Sequence, residues 1–145
     1  YVFGEHGDSS FVPWSLANIG SIPVEKYASA VEGQKLPSFN KDDVEEYIRK
    51  SGGIIIAAKK CTNYAIGVTT ACLCEALNYE TDSVLTLSTM LNGEYGIKDV
   101  CLSIPAVVGS KGITSRIVAP LTDDEIAKLQ HSAECLKGVL SQLQF

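Results

Sequence analysis

Apolar positions in the first half of the chain recur at helical spacing. A helix is predicted over residues 40–60, because Val44 and Ile48 lie on one face and Asn40 is a suitable N-cap. The acids after Asn40 favour the positive end of the helix dipole. The glycine pair at 52–53 weakens the middle of this helix and allows a kink there.

A second helix is predicted over residues 62–79. Ile66, Leu73 and Leu77 form a largely apolar stripe at helical spacing. Small residues between them would let another backbone approach closely. This helix is therefore a candidate for contact with another part of the protein or with another subunit.

From residue 83 the period of the pattern changes to two. The side chains of Leu85, Leu87, Thr89 and Leu91 alternate with those of Val84, Thr86, Ser88 and Met90. Further strands are predicted over 100–108, where Pro105 indicates an interruption or an edge, and over 113–118. The turns at 92–93 (NG) and 109–112 (GSKG) are short, so the three strands are predicted to form an antiparallel meander.

The last segment is predicted to be a helix. Thr122 and Glu125 have the spacing of a capping box. An apolar stripe follows at helical spacing, formed by Ile126, Leu129, Ala133, Leu136, Leu140 and Leu143. The predicted fold is α+β, with an antiparallel sheet packed against long helices, and residues 1–145 are predicted to form a single domain.

The N-terminal segment has a less regular pattern. Residues 1–3 resemble the end of a strand, and 4–7 a loop or tight turn. A short helical turn and then a strand over 16–22 are predicted next, followed by a surface loop with some helical turn over 24–39. Because an apolar run stands at the very start without an initiating methionine, we expect the chain to be the C-terminal part of a longer protein.

Composition narrows the class of protein. The 145 residues are 46% hydrophobic and 20% charged, with a net charge of −5 and a pI of about 5.0. This acidic balance argues against nucleic acid or an anionic membrane as the main partner. Nor does any apolar run approach the roughly 20 residues that span a bilayer, and the start is not typical of a signal peptide. A globular domain with a sizeable core is expected.

The cysteines favour a reducing compartment. Their number is odd and their spacing irregular, which argues against a disulfide framework and for the cytoplasm. Cys72 and Cys74 stand two residues apart, and on a helix they would point away from each other. Only His6 and His131 could add imidazole ligands, so no metal site is expected.

His6 is the strongest candidate for chemistry. Imidazole titrates near neutral pH, and the flanking glycines would let a substrate come close. Its neighbours Glu5 and Asp8 could orient the ring, although capping or solvent contact is the more common role of such acids. Thr62 could cap the second helix or bind a small polar ligand, and its position alone favours capping. Ile66, one turn later, could contact a flat ring or simply belong to a core.

Other chemistries lack their motifs. A Gly-x-Ser-x-Gly nucleophile elbow is absent, so Ser9 and Ser10 do not indicate a hydrolase. The chain also contains no Gly-x-Gly-x-x-Gly, which argues against a dinucleotide-binding fingerprint of its own.

Several motifs, in order along the chain, resemble those of the L-lactate dehydrogenases. Residues 4–9 (GEHGDS) with 12–15 (VPWS) resemble the catalytic-histidine motif, which related 2-hydroxy acid dehydrogenases share. The segment 61–67 (CTNYAIG) resembles the one that carries the substrate-binding threonine. Residues 88–96 (STMLNGEYG) resemble the family's sheet hairpin. Residues 102–106 (LSIPA) and the ending at 143–145 also fit, so the resemblance extends over nearly the whole chain.

The resemblance implies specific roles. His6 would donate a proton to the keto oxygen of pyruvate as hydride arrives from NADH, and would take it back in the reverse direction. Thr62 would line the substrate pocket, and Ile66 would contact the nicotinamide. The NAD-binding Rossmann domain, the substrate arginines and the aspartate that pairs with the histidine would lie upstream of this chain. Family members are usually tetramers or dimers. We therefore expect a homo-oligomer, namely a tetramer.

Two alternatives remain beside a lactate dehydrogenase. One is a sister enzyme that acts on malate or a branched 2-hydroxy acid, since the discriminating loop would lie upstream. The other is a non-catalytic module that only assembles with partners. The isolated chain is expected to be inactive, because it would hold neither NAD nor the substrate carboxylate.

The chain departs from the family pattern at several positions. Cys61, Cys72 and Cys74 are interpreted as small core substitutions, and the glycine pair at 52–53 falls within a helix that the family normally continues.

Overall fold

A computed structural model describes residues 1–33, 37–79 and 82–143. The helices α1 to α4 are Val24–Ala30, Lys41–Lys59, Tyr64–Asn78 and Asp123–Leu140. The strands β1 to β5 are Asn18–Ile19, Ile22–Pro23, Ser83–Asn92, Lys98–Gly109 and Gly112–Arg116. Short 3₁₀ turns lie at Trp14–Leu16 and Glu94–Gly96. The predicted loop over 24–39 includes residues 34–36, which lie outside the described residues, as do 144 and 145 at the end.

The three long strands form the predicted antiparallel meander, in the order β3-β4-β5. Thr89 and Leu91 of β3 are buried, whereas Val84 and Met90 on the opposite face are exposed. The predicted period-two alternation is therefore confirmed. One face of this sheet is covered by the chain and the other is left open.

The prediction of an interruption or edge at Pro105 was wrong. Pro105 pairs with Thr86 inside β4, which is the central strand. Its carbonyl accepts a hydrogen bond from the backbone N–H of Ile117 (2.8 Å), one residue past the end of β5. A strand residue directs its N–H and C=O to the same side, so the missing N–H of Pro105 faces the point where β5 has ended. The proline therefore removes no bond between β3 and β4.

The core lies between β4, α4 and the N-terminal segment. Leu102 and Ile104 of β4 are fully buried, as is Leu129 of α4. Phe3 and Phe11 complete the cluster, with ring centroids 6.2 Å apart and an edge-to-face arrangement. The α+β fold, with helix packed on antiparallel sheet, is as predicted.

Both predicted helix caps are confirmed. The Asn40 side chain accepts a hydrogen bond from the backbone N–H of Asp42, and α2 runs continuously through the glycine pair at 52–53. Thr122 and Glu125 form a complete capping box, in which each side chain accepts from the other residue's backbone N–H. These local signals fix where the two helices begin.

The predictions for residues 16–22 and 24–39 need correction. Residues 18–23 form a small hairpin, in which Asn18 pairs with Pro23 and Ile19 with Ile22. Gly20 and Ser21 both have positive φ, 56° and 68°, which makes a tight two-residue turn in the middle of the predicted strand. The helix α1 then occupies seven residues of the predicted loop.

The apolar faces of α2 and α3 are largely exposed. In α2, Ile54 is 51% exposed and Ile56 is 47% exposed. In α3, Ile66 and Val68 are 61% and 65% exposed. The predicted amphipathic helices are therefore present, but the chain itself does not cover their apolar stripes.

Candidate active site

His6 and Thr62, far apart in sequence, line the same cavity. Its volume is about 580 Å³. Its other walls are formed by the loop around His6, by Ser103 of β4 and by one face of α2. The cavity is open on one side. It brings together the two polar residues that the motifs single out.

The loop that carries His6 leaves the sheet at a fixed point. Gly4 forms an antiparallel bridge with Ser103 of β4, with hydrogen bonds in both directions (3.2 and 2.8 Å). A turn closed by the Ser10 N–H and the Gly7 carbonyl (3.2 Å) follows. His6 lies between these two fixed points with its side chain exposed. The imidazole is therefore presented to the cavity by a loop whose ends are held.

Ser132 of α4 anchors this loop from behind. Its hydroxyl oxygen, fully buried, accepts a hydrogen bond from the backbone N–H of Glu5 (2.8 Å). It also lies 2.9 Å from the Ser9 hydroxyl oxygen. Gly4 has a φ of +97°, and a Cβ there would stand 2.7 Å from the Ser132 oxygen. Close packing of the loop against α4 therefore requires glycine at this position.

The Glu5 carboxylate is used within the loop. It accepts hydrogen bonds from the Ser9 hydroxyl (2.5 Å) and the Ser9 backbone N–H (3.3 Å). Among the described residues, neither Glu5 nor Asp8 is hydrogen-bonded to the His6 imidazole. Glu5 therefore stabilises the loop conformation, and neither acid orients the ring through a hydrogen bond.

The segment after the loop joins α2 and α4. Ser15 donates to the Glu125 carboxylate from its backbone N–H (3.0 Å) and from its hydroxyl. Trp14 donates from its indole nitrogen to Glu45 of α2 (2.7 Å). Burial acts to raise the pKa of Glu125, but four hydrogen bonds from Ser15 and Thr122 outweigh it, so the pKa lies below its usual value.

Arg49 forms one wall of the cavity. Its guanidinium donates to the Ser10 carbonyl (3.2 Å) and pairs with Glu45 (3.4 Å). Glu45 is itself buried, at 8% exposure. These contacts fix the first half of α2 over the histidine loop.

The expectation that Thr62 caps the second helix was wrong. The helix begins at Tyr64, so the N-cap is Asn63, whose side chain makes no cap hydrogen bond. Thr62 is exposed, and within the described residues its hydroxyl has no hydrogen-bond partner. Thr62 therefore borders the cavity and does not cap α3.

Ile66 is not brought into the cavity. It lies one turn into α3, 61% exposed, and it is absent from the residues that line the cavity of His6 and Thr62. Its apolar side chain lies on the surface of the domain, outside that cavity.

Sequence reasoning missed the wall that α2 supplies. Ile48, Arg49, Gly52, Gly53 and Ile56 all line the cavity. Their spacing of i, i+1, i+4, i+5 and i+8 defines one helix face, which is the signal that was available. Glu45 and Ser132 were also missed, because a buried polar residue on a helix is recognised only from its partners.

Across residues 1–33, 37–79 and 82–143, no three His, Cys, Asp or Glu side chains come close enough together to hold a metal ion. Over the same ranges no helix combines the length and the apolar character needed to cross a bilayer.

The fold and the site together define an α+β domain that presents a histidine loop, held by a sheet and a helix, to a half-open cavity. The family model of the lactate/malate dehydrogenase α/β C-terminal domain matches residues 1–144, and the chain belongs to this family. L-lactate dehydrogenase from Thermoanaerobacterium saccharolyticum is 39% identical over 142 residues, which cover 98% of this chain and 45% of that protein. The chain thus spans about 45% of the length of such curated relatives.

Solved structures agree with this assignment. The minor L-lactate dehydrogenase from Enterococcus mundtii superposes over the whole chain and 46% of its own, with a TM-score of 0.89 and 31% identity. Malate dehydrogenase from Archaeoglobus fulgidus in complex with NADH covers 99% of this chain and 43% of its own, with a TM-score of 0.81 and 30% identity. The fold is common to both types of enzyme.

Proposed function

We propose that this chain is the catalytic, substrate-binding part of an NAD-dependent L-lactate dehydrogenase that interconverts pyruvate and L-lactate. The observation that carries the proposal is that His6 and Thr62 line one cavity. The relatives named L-lactate dehydrogenase support the choice of reaction. The rest of the proposed enzyme is an N-terminal Rossmann domain of the same protein.

His6 is the proposed proton donor and acceptor. In the direction of reduction, the keto carbon of pyruvate gains a hydride and its oxygen gains the proton of the imidazolium, which yields lactate. In the reverse direction the neutral imidazole takes the hydroxyl proton. The anchored loop holds the backbone of His6 at a constant position beside the cavity.

Thr62 is the proposed substrate-binding residue. Its hydroxyl makes no capping bond and borders the cavity, so it can donate to or accept from a polar group of the substrate. Arg49 is held by Glu45 and by the Ser10 carbonyl. The loop that discriminates pyruvate from oxaloacetate would lie in the N-terminal half, outside this chain.

NAD is the proposed cofactor, and it supplies or accepts the hydride when bound. The exposed side chain of Ile66 fits the apolar face of a nicotinamide ring. The chain contains no glycine-rich dinucleotide fingerprint, so the N-terminal domain would hold most of the cofactor. An NADH complex of a malate dehydrogenase with the same fold supports this assignment.

The exposed apolar faces of α2 and α3 support assembly. An apolar side chain such as Val68, left 65% exposed on α3, is typical of a surface that another domain or subunit covers. We propose two partners for these faces. One is the N-terminal domain of the same protein, and the other is further copies of the protein in a homotetramer. The proposed location is the cytoplasm.

The test is the variant His6→Asn in the full-length protein, in which this chain follows its N-terminal half. The kcat/KM for pyruvate is expected to fall about 10²- to 10⁴-fold, because the general acid is lost while the loop is retained. Steady-state NADH oxidation measures it. Full activity of His6→Asn would contradict the assignment.

The second histidine provides a matched control. His131 lies on the exposed side of α4, where it contacts Cys135 (3.5 Å) and does not border the cavity. His131→Asn is expected to retain turnover within about threefold, far from the loss expected at a general acid. The isolated chain is a further arm and is expected to oxidise no NADH with pyruvate.

A further inference from the structure

The α2–α3 connection, residues 60–63, is not held by burial within this chain. All four of its residues are exposed, as are the end of α2 and the start of α3. Thr62 borders both the cavity of His6 and a second cavity of about 410 Å³. Contacts other than core packing therefore fix the position of Thr62.

The connection begins with a strained backbone conformation. Lys60 has a φ of 69°, in the left-handed region that favours glycine. Its backbone N–H nevertheless closes the last turn of α2 on the Ile56 carbonyl (2.8 Å). A residue other than glycine stays in this region only where its surroundings hold it there. The chain therefore requires a contact between the two ends of the connection.

Lys59, the last residue of α2, makes a contact of this kind. Its ammonium group donates to the side-chain oxygen of Asn63 (3.0 Å) and lies 4.3 Å from the centre of the Tyr64 ring. The second distance is typical of a cation–π interaction. The Asn63 side chain makes no cap hydrogen bond, so its oxygen serves Lys59 and not the start of α3. These three residues, the Lys59 bridge, thus span the segment that carries Thr62.

We propose that Lys59 is a positioning residue that acts through Thr62. By joining the end of α2 to the start of α3, it holds the backbone of Thr62 at the border of the cavity of His6. This inference rests on the proposed function, because it concerns a substrate-binding residue of the same site. Lys59 does not line that cavity itself, so its effect on the reaction is transmitted by the connection.

The neighbouring Lys60 provides a matched comparison. It carries the same charge one residue further along the chain. Its ammonium group lies 3.5 Å from the Ala57 carbonyl, in the last turn of α2, and does not cross the connection. A general effect of positive charge near the cavity would involve both lysines, whereas positioning of Thr62 involves Lys59 alone.

The experiment measures KM and kcat for pyruvate in the full-length protein. Lys59→Met keeps an unbranched side chain and removes the ammonium group. The KM is expected to rise at least about threefold, since an exposed charged hydrogen bond and an exposed cation–π contact are lost. The kcat is expected to stay within about twofold of the wild type, because His6 and its loop are unchanged.

The conservative variant and the control follow from the same geometry. Lys59→Arg is expected to keep the KM within about twofold of the wild type, because a guanidinium can donate to Asn63 and stack on Tyr64. Lys60→Met is also expected to keep the KM within about twofold, since an exposed charge that bridges nothing contributes little.

A double variant tests whether Lys59 acts through Thr62. Thr62→Ala is expected to raise the KM by itself, because it removes the proposed substrate-binding hydroxyl. In that background, Lys59→Met is expected to change the KM by less than about twofold, since no hydroxyl remains to be positioned. Independent effects of the two substitutions would multiply instead.

A second variant keeps the proposal testable if circular dichroism shows that Lys59→Met has lost helix. Asn63→Ala removes the acceptor of the Lys59 bridge and no cap hydrogen bond, so α3 is expected to form. Its KM is expected to rise at least about threefold, as for Lys59→Met.

Three outcomes overturn the proposal. The folded bridge variant raises the KM by less than threefold although Thr62→Ala raises it, Lys60→Met raises it as much as Lys59→Met, or the effects of Lys59→Met and Thr62→Ala multiply. Failure of the proposed function has a different signature. A KM that Thr62→Ala leaves unchanged would refute the role of Thr62 itself, and this inference with it.

Discussion

The sheet with α4 and the helix pair α2–α3 both carry large apolar side chains, but in opposite environments. Leu102 in β4 and Leu129 in α4 are fully buried, whereas Ile54 in α2 and Val68 in α3 are more than half exposed. The first region forms a core from this chain alone. In the second, α2 is attached to the first region by polar contacts of Trp14 and Arg49, and α3 packs on β4. The candidate active site lies on the boundary, with His6 contributed by the first region and the wall formed by α2 contributed by the second.

This difference separates stability from function. Residues that stabilise the fold are concentrated where the chain covers itself, while α2 and α3 carry surfaces that matter only when something is bound to them. Three sets of variants test this difference through their free energies of unfolding.

The largest effect is expected from a matched pair of leucines. Leu102→Ala removes a fully buried side chain and is expected to cost about 2–5 kcal/mol in the free energy of unfolding. Leu77→Ala in α3, 39% exposed, is expected to cost less than about 1 kcal/mol. Urea unfolding measures both. Equal costs would show that α3 is as tightly packed as the sheet and would remove the distinction.

A smaller effect is expected at Glu125, which joins α4 to the segment after the histidine loop. Glu125→Gln is expected to cost about 1–3 kcal/mol at pH 7, since hydrogen bonds to a charged group are lost. The folded-state pKa of Glu125 lies below the ordinary glutamate value of 4.5, so its contribution is fully present above pH 4.5. That contribution is lost as pH falls through the folded pKa.

The pH dependence gives the control. The unfolding free energies of the wild type and of Glu125→Gln should converge as the pH is lowered from 4.5. Asp124 is exposed on the same turn, so the unfolding free energy of Asp124→Asn should follow that of the wild type. A difference between wild type and Glu125→Gln that stays constant down to low pH would exclude the carboxylate as the source.

The smallest effect is expected on the open face. Val68→Gln in the isolated chain should change stability by about 0.5 kcal/mol or less, as Val139→Gln at an exposed position of α4 should. In the full-length protein Val68→Gln is expected to cost more than about 1 kcal/mol, because the proposed partner surface would bury the side chain. An unchanged cost there would argue that the face stays open to solvent.

Local signals in the sequence predicted most of the elements. The cap at Asn40, the capping box at Thr122 and the alternation along β3 depend on neighbouring residues, and all three are confirmed. The errors arose where distant geometry decides. Pro105 is tolerated because β5 ends beside it, and the strand predicted over 16–22 is divided by two residues of positive φ.

The site was predictable only in part. His6 and Thr62 were recognised from their motifs, and their roles remain predictions. The wall formed by α2 was not anticipated, because an amphipathic pattern has the same period whether its face covers a core, borders a cavity or meets another domain. The partners of Glu45 and Ser132 are distant in sequence, so no local pattern could identify them.

The contact between Gly4 and Ser132 has a consequence for how such a domain can change over time. The two positions lie at opposite ends of the chain, yet a Cβ on one would stand 2.7 Å from the hydroxyl oxygen of the other. A larger side chain at either is tolerated only after a compensating change at its counterpart, and the positive φ at Gly4 narrows the choices further. The pair should therefore vary together among homologues, and a designer who alters the C-terminal helix changes the position of the histidine at the other end of the chain.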